Sequence, residues 1–237
     1  MTWDTEEFNQ LVQQQLSPHS ISLLQPPLDS ISWKFFLCRY HIAEANRILS
    51  EAITQVKERE PTKPLRVALM QLQGTDESWM LFTAYRLAEA HTIAFAQALH
   101  STADMMAQVL CISLRLNRLF KPQENRYLNV VVDRMSQHGV APSVVTAVTS
   151  FLKSNEFLYL RAYVNTTKHI SLVPASYTYR LVPGQDQLLV MIEAFKYRNE
   201  NWPEKALADF IGADFERLST MFDAIGIELT AVVHPPH

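Results

Sequence analysis

Residues 90–114 read AHTIAFAQALHSTADMMAQVLCISL and form the most apolar segment of the chain. The segment is long enough to be considered as a membrane span, which needs about 20 mainly apolar residues. Polar and charged side chains interrupt it, however, at His91, Gln97, His100, Asp104 and Gln108. The pattern therefore predicts a helix buried in the core and excludes a membrane span.

This segment lies inside a longer helical region, residues 75–120, which Pro122 ends. At 1.5 Å per residue, an unbroken helix of this length would extend about 70 Å, which is longer than a compact domain of this size. Small polar residues cluster at 100–102, and such positions are common sites of helix bending. We therefore expect a bend or break there.

The rest of the chain shows helical spacing of apolar residues, except for one region with alternating residues. In the N-terminal part, the pattern predicts an amphipathic helix over 2–16 capped by Thr2, a loop over 17–30 containing Pro26 and Pro27, and a long helix over 31–60. A further helix is predicted from Pro142 to 153, with a restart or bend at 154–156 and continuation to about 169. A hairpin of 177–181 and 188–195 around Pro183-Gly184 follows, and Trp202-Pro203-Glu204 opens the last helix. The last four residues, HPPH, are expected to be disordered.

The predicted fold is therefore mainly α: a helical bundle with long central helices and a small two-stranded β-hairpin before the C-terminal helix. Because the chain has 237 residues and shows no linker, we expect one domain over 1–237. Its parts are an N-terminal helix and loop (1–30), a main bundle (31–171), the hairpin (172–200) and the C-terminal helix (203–233).

Composition excludes several classes of protein. The 21 basic and 24 acidic residues give a formal charge of −3, so binding to nucleic acid or anionic lipid would need a local patch. The five glycines stand far apart, which excludes the clustered glycines of a Walker loop or a dinucleotide-binding fingerprint.

The two cysteines, Cys38 and Cys111, form no motif with histidines, so we expect buried thiols and neither a zinc site nor another cofactor. The acidic N-terminal residues do not resemble a signal peptide, which predicts a cytoplasmic protein.

The most suggestive polar residues lie in the segment YLRAYVNTTKH, residues 159–169. On a helix, Asn165 lies about 40° and His169 about 80° around from Arg161, and Lys168 lies about 20° to the other side. A guanidinium, an ammonium, an amide and an imidazole on one face are suited to binding phosphate, and His169 can transfer a proton near neutral pH. The alternative is structural: Lys168 and His169 interact favourably with the negative end of a helix that ends before Pro174.

A second polar set, Glu89, His91, His100 and Asp104, lies within the apolar helix. Buried carboxylates need partners. One interpretation is that Glu89 and Asp104 are core groups whose hydrogen bonds are satisfied. The other is that they support the first polar set, with one of them orienting His169 or pairing with Arg161. His100 would belong to the same supporting group. Two separated histidines do not make a zinc-hydrolase motif, so no metal is expected.

The only local concentration of basic residues is Arg115, Arg118, Lys121 and Arg126, with Glu124 among them. Such a run could bind a phosphate backbone. More often, such a run is a solvated helix end.

Three segments resemble a HEPN-type helical domain in their order along residues 77–233. They read AEAHTIAFAQALHSTADMMAQVL, FLYLRAYVNTTKHISLV and NWPEKALADFIGADFERLSTMFDAIG, with a β-type stretch before the last. The resemblance implies an all-α bundle that often dimerises. In its active branches it implies a metal-independent ribonuclease, in which Arg161 and His169 would face each other across the dimer. The family pattern has a polar residue after the arginine and four to six residues before the histidine, whereas here Ala162 follows Arg161 and seven residues intervene.

On this basis we expect RNA cleavage through the 2′-hydroxyl. His169 would act as general acid and base, Arg161 and Lys168 would stabilise charge on phosphorus, and Asn165 would orient His169. The expected partners are a second copy of the chain and RNA or a nucleotide. The alternative is a non-catalytic module that binds a nucleotide or a protein such as a nucleotidyltransferase antitoxin, or a dimeric scaffold.

Overall fold

The fold is mainly helical, as predicted. The computed structural model describes residues 3–59, 74, 76–121, 123–182 and 185–233. Within these ranges the α-helices are α1 (Thr5–Gln13), α2 (Pro18–Arg59), α3 (Asp76–Ser113), α4 (Leu128–Gln137), α5 (Pro142–Lys153), α6 (Asn155–His169), α7 (Leu207–Ile211) and α8 (Ala213–Val233). A short 3₁₀-helix, Leu116–Leu119, follows α3.

The strands lie between α6 and α7. They are β1 (Ala175–Val182), β2 (Gln185–Ile192), β3 (Phe195–Tyr197), β4 (Glu200–Trp202) and β5 (Lys205–Ala206). β1 and β2 pair antiparallel along their full length, from Ala175 opposite Ile192 to Val182 opposite Gln185. This confirms the predicted hairpin; its turn residues, Pro183-Gly184, lie outside the described residues. β5 adds to the free edge of β2, and β3 and β4 form a separate small ladder.

The chain divides into two compact units, and the single domain expected over 1–237 stays a prediction. The first unit comprises Met1–Phe36, Ala98–Arg161 and Phe215–His237, and the second unit comprises Leu37–Gln97 and Ala162–Asp214. Helices α2, α3, α6 and α8 each begin in one unit and end in the other.

Aromatic side chains dominate the core of the first unit. Phe151 packs against Phe157 with ring centroids 4.5 Å apart and against Phe222 at 6.2 Å. Phe35 packs edge-on against Phe222 at 5.2 Å. All four rings are buried. Because such pairs add to the free energy of burying large apolar surfaces, this cluster fixes how α2, α5, α6 and α8 pack within the unit.

The second unit has its own aromatic core. The Phe210 ring packs edge-on against Phe95, at 5.7 Å, and against Tyr163, at 5.3 Å. Tyr163 also contacts Phe195 of β3. This core holds α3, α6 and α7 together and attaches the small β3–β4 ladder to the helices.

The N-terminal helix is shorter than predicted. It begins at Thr5, because the Asp4 carboxylate accepts hydrogen bonds from the Glu6 and Glu7 amides at 3.0 and 2.9 Å and so caps the helix. The predicted cap, Thr2, lies outside the described residues.

The loop predicted over 17–30 is wrong, because residues 18–30 form the first turns of α2. The Ser17 side chain caps the helix by accepting from the Ser20 amide at 3.2 Å. Pro26 and Pro27 lie inside the helix. Each proline removes a backbone hydrogen bond, at a cost of about 3 kcal/mol. Leu24, Pro27 and Leu28 are buried, and this tertiary burial offsets the loss.

The break predicted at 100–102 does not occur, whereas the bend given as its alternative stays a prediction. Helix α3 is continuous from Asp76 to Ser113. The hydroxyls of Ser101 and Thr102 donate to carbonyls of the preceding turn, at Ala98 and Leu99, so these small polar residues are satisfied within the helix. The helix ends where Arg115 adopts a left-handed conformation with φ of 53°.

The predictions around Pro142 and residues 154–156 are confirmed. Pro142 is the first residue of α5, and the Ser154 hydroxyl accepts from the Phe157 amide at 3.2 Å at the start of α6.

The start predicted for the last helix at Trp202-Pro203-Glu204 is wrong. Trp202 lies in β4, where its ring stacks on Phe195 at 6.5 Å, and Phe195 itself lies in β3 rather than at the end of the hairpin.

The C-terminal helix is interrupted. Helix α7 starts only after Ala206 pairs with Met191, and Gly212 separates it from α8. The tail HPPH lies outside the described residues.

No helix in the described ranges combines the length and the apolar character needed to span a bilayer.

Helix α1 and the segment before it are fixed to α8 by a close contact between Trp3 and Gly226. The buried indole of Trp3 donates to the Thr230 hydroxyl at 3.1 Å. A Cβ atom at Gly226 would overlap the indole ring. Glycine is therefore required here for packing, because this helical position does not need a positive φ.

We predict that Gly226→Ala lowers the free energy of unfolding by about 1–3 kcal/mol, because it overpacks the contact with Trp3. Urea denaturation measures the change. In a Trp3→Ala background the ring is absent, so the same substitution should become neutral or stabilising, since alanine is the better helix former by about 1 kcal/mol. Equal destabilisation in both backgrounds would contradict this account of the contact.

Candidate functional site

The predicted phosphate-binding residues lie on helix α6 and largely face solvent. Arg161, Lys168 and His169 are exposed, and Asn165 is half-buried. Arg161 is the last residue of its segment in the first unit, whereas the other three residues belong to the second unit. The candidate site in the second unit therefore consists of Asn165, Lys168 and His169 at the end of α6.

The threonines between these residues have a structural role. The buried Thr166 hydroxyl donates to the Ala162 carbonyl at 2.8 Å, and Thr167 donates to the Tyr163 carbonyl at 2.9 Å. The Thr166 carbonyl accepts from the amides of Ile170 and Ser171, both at 3.0 Å, which closes the helix. These bonds hold the last turn in shape and leave Lys168 and His169 on its outer surface.

Two exposed apolar side chains follow His169 directly. Ile170 is 62% exposed and Leu172 is 46% exposed. These side chains place apolar area next to the Lys168 ammonium and the His169 imidazole. The end of α6 therefore combines charge, a titratable imidazole and apolar area.

Glu89, one of the predicted supporting residues, is a satisfied core carboxylate. It is buried, its Oε2 accepts from Arg86 Nη1 at 2.6 Å, and its Oε1 accepts from the Ala175 amide at 3.2 Å. The carboxylate therefore links α3 to the first residue of β1. The sequence indicated that Glu89 needs a partner, and Arg86 is that partner.

The other two predicted supporting residues lie in the first unit. The half-buried His100 ring stacks on Phe157 with an interplanar angle of 3° and a centroid distance of 6.0 Å. Asp104 is half-buried one turn further along α3. That Asp104 or Glu89 orients His169 or pairs with Arg161 stays a prediction, as does the supporting role of His100.

The basic concentration at 115–126 makes contacts within the first unit. Arg126 donates to the Asn117 side chain at 2.7 Å and lies over the Phe120 ring, 5.6 Å from its centroid. Glu124 accepts from Arg134 at 2.8 Å and from the Lys121 amide at 3.2 Å. These bonds hold the pKa of Glu124 below its usual range. Within the basic run, the Arg126 side chain and the Lys121 backbone amide therefore support the loop before α4.

A pair of histidines on α2 and α3 was not predicted as a site. His41 Nδ1 and His91 Nδ1 are 3.0 Å apart, and the two rings are tilted by 50°. Tyr40 packs edge-on against both rings, at 5.2 and 6.2 Å. Burial and the neighbouring His91 lower the pKa of His41 below its ordinary value. Fifty residues separate the two histidines, so only the packing of α2 on α3 reveals the pair.

Both cysteines are buried thiols, as predicted. Cys38 Sγ lies 3.8 Å from the Phe95 carbonyl oxygen, to which it donates. Burial raises the pKa of the Cys111 thiol to about 11, against the opposing effect of the Arg126 charge.

Comparison with known proteins finds no matching family model, curated protein or solved structure.

We predict that Glu89→Gln lowers the free energy of unfolding by about 1–3 kcal/mol, because it weakens two hydrogen bonds to a buried carboxylate. Thermal or urea denaturation measures the loss. Glu51→Gln is the matched control: Glu51 bonds Arg47 at 2.8 Å, but both side chains are exposed. A smaller effect is expected there. Equal effects of the two substitutions would show that the Glu89 bonds contribute no more than a surface pair.

We also predict that neither thiol reacts readily with a disulfide reagent such as DTNB in the native protein. At pH 8, the Cys111 thiol, with a pKa of about 11, is ionised in about one molecule in a thousand, and burial blocks access to both cysteines. Denatured protein should release two equivalents of the coloured thiolate, one for each cysteine. Rapid labelling of the folded protein would contradict the burial of these residues.

Proposed function

We propose that the protein is a metal-independent ribonuclease of the HEPN type, with its site at the exposed end of helix α6. The observation that carries the proposal is that Lys168 and His169 are both exposed there and Arg161 is exposed two turns earlier on the same helix. The order of segments that resembles the HEPN pattern supports the same function.

The spacing along α6 favours a site made by two copies of the chain. Eight residues from Arg161 to His169 correspond to a rise of about 12 Å. Side chains on a helix all lean towards its N-terminus, so the two side chains do not converge. One phosphate is therefore better held by Lys168 and His169 of one copy and Arg161 of a second copy. This supports a homodimer as the active form.

The chemistry uses the residues in separate roles. His169 as general base removes the proton of a ribose 2′-hydroxyl, whose oxygen attacks the adjacent phosphorus. The bond from phosphorus to the 5′-oxygen breaks, a proton is returned to that oxygen, and the products are a 2′,3′-cyclic phosphate and a 5′-hydroxyl. Arg161 and Lys168 stabilise the charge on the phosphoryl oxygens, and Asn165, one turn before His169, orients the imidazole.

A second candidate function is a non-catalytic module that binds a protein, for example a nucleotidyltransferase antitoxin, or that assembles as a dimeric scaffold. The exposure of Ile170 and Leu172 beside His169 favours it. The same apolar area would also serve the dimer that the ribonuclease requires, so the two candidates share this surface and differ in whether His169 transfers protons.

We predict that purified protein cleaves single-stranded RNA in the presence of EDTA and that His169→Ala lowers the rate by about 10²–10⁴-fold, the usual contribution of a general acid or base. Labelled oligonucleotides resolved by gel electrophoresis measure the rate. A substrate with a 2′-deoxy sugar at the cleaved position should resist cleavage, because the attacking hydroxyl is absent.

His138→Ala is the matched control, since His138 is an exposed histidine at the end of α4. It should leave the rate unchanged. An equal rate for His169→Ala and the unaltered protein would rule out this site. Absence of cleavage by the unaltered protein, together with a dimer that Ile170→Asp dissociates, would instead support the scaffold.

A further inference from the structure

We propose that His41 and His91 form a binding site for one divalent transition-metal ion, Cu²⁺ or Ni²⁺, which both rings ligate through Nδ1. Both residues belong to the second unit, one on α2 and the other on α3. The proposal does not depend on the proposed ribonuclease activity.

The distance between the two nitrogens selects the coordination geometry. Imidazole nitrogens bind such ions at about 2.0–2.1 Å. Two nitrogens 3.0 Å apart then subtend about 95° at the metal, close to the cis angle of a square-planar or octahedral ion. A tetrahedral zinc site would place the same atoms about 3.3 Å apart. The separation therefore fits two cis ligands of tetragonal Cu²⁺ or octahedral Ni²⁺, with each ring turned by about 40° so that its Nδ1 lone pair points at the metal rather than at the other nitrogen.

The surroundings also favour an ion that keeps water ligands. In the described part of the chain, no group of three or more His, Cys, Asp or Glu side chains could hold a metal ion. Glu44, one turn after His41, is already engaged by Arg47, with an oxygen-to-nitrogen distance of 2.8 Å. Two imidazoles with water completing the coordination suit Cu²⁺ or Ni²⁺, whereas a structural zinc ion normally has four protein ligands.

The two rings are held in place before metal binds. Tyr40 packs edge-on against both rings, and the hydrogen bond between the Nδ1 atoms keeps them facing each other. That bond needs a proton on one Nδ1. Metal binding moves this proton to Nε2 of the same ring, so both Nδ1 lone pairs become available and no net charge is lost. The metal then replaces the hydrogen bond as the link between α2 and α3.

Titration with CuCl₂, followed by electron paramagnetic resonance, tests the proposal. The unaltered protein should bind one equivalent with hyperfine splitting from two nitrogens. His41→Gln and His91→Gln should each weaken binding at least about tenfold, since even loss of a group that only supports a ligand weakens metal affinity by that factor or more. His138→Gln, the control, should leave the affinity unchanged.

A second measurement uses the unaltered protein and so does not depend on the variants folding. Substoichiometric Ni²⁺ should broaden the imidazole resonances of His41 and His91 before those of the other six histidines. Earlier broadening of other histidines, such as those of the C-terminal HPPH segment, would overturn the proposal, as would equal Cu²⁺ affinity for all three variants. RNA cleavage in EDTA is a separate readout, so failure of one proposal leaves the other open.

Discussion

The structure depends on the burial of helix α3. From Phe95 to Cys111, most of its side chains are buried, and the less buried ones, such as Gln97, Asp104 and Gln108, lie on one face of the helix. The buried residues form a wide apolar stripe, so other segments must pack against it. Phe95 contributes to the aromatic core of the second unit, and residues from Ala98 onwards contribute to the first. Helix α3 therefore supplies buried residues to each unit.

The sequence was most informative where one local feature determines the structure. Pro142 at a first helical position and alternating residues around 177–192 correctly predicted α5 and the hairpin. Local signals failed where tertiary contacts outweighed them. Pro26 and Pro27 lie in a helix because their neighbours are buried, and Trp202 lies in a strand because its ring stacks on Phe195. The secondary-structure propensity of the residues does not reveal either of these tertiary contacts.

The candidate site was predictable to different degrees. Residues on one helix, such as Lys168 and His169, could be assigned to a common face from their spacing, and their exposure agrees with a role at the surface. The need of Glu89 for a partner followed from the cost of burying a carboxylate, and Arg86 lies only three residues away. The pair of His41 and His91 could not be predicted, because no rule of spacing joins residues on two different helices.

The division of the chain into interleaved segments has a consequence for its synthesis. The first unit needs Phe215–His237 in addition to the earlier segments, and the second unit needs Ala162–Asp214. Neither unit can complete its aromatic core until the ribosome has made most of the chain. The apolar residues of α2 and α3 therefore stay without their core partners while the chain is being made, and apolar surface exposed in this way is prone to aggregation.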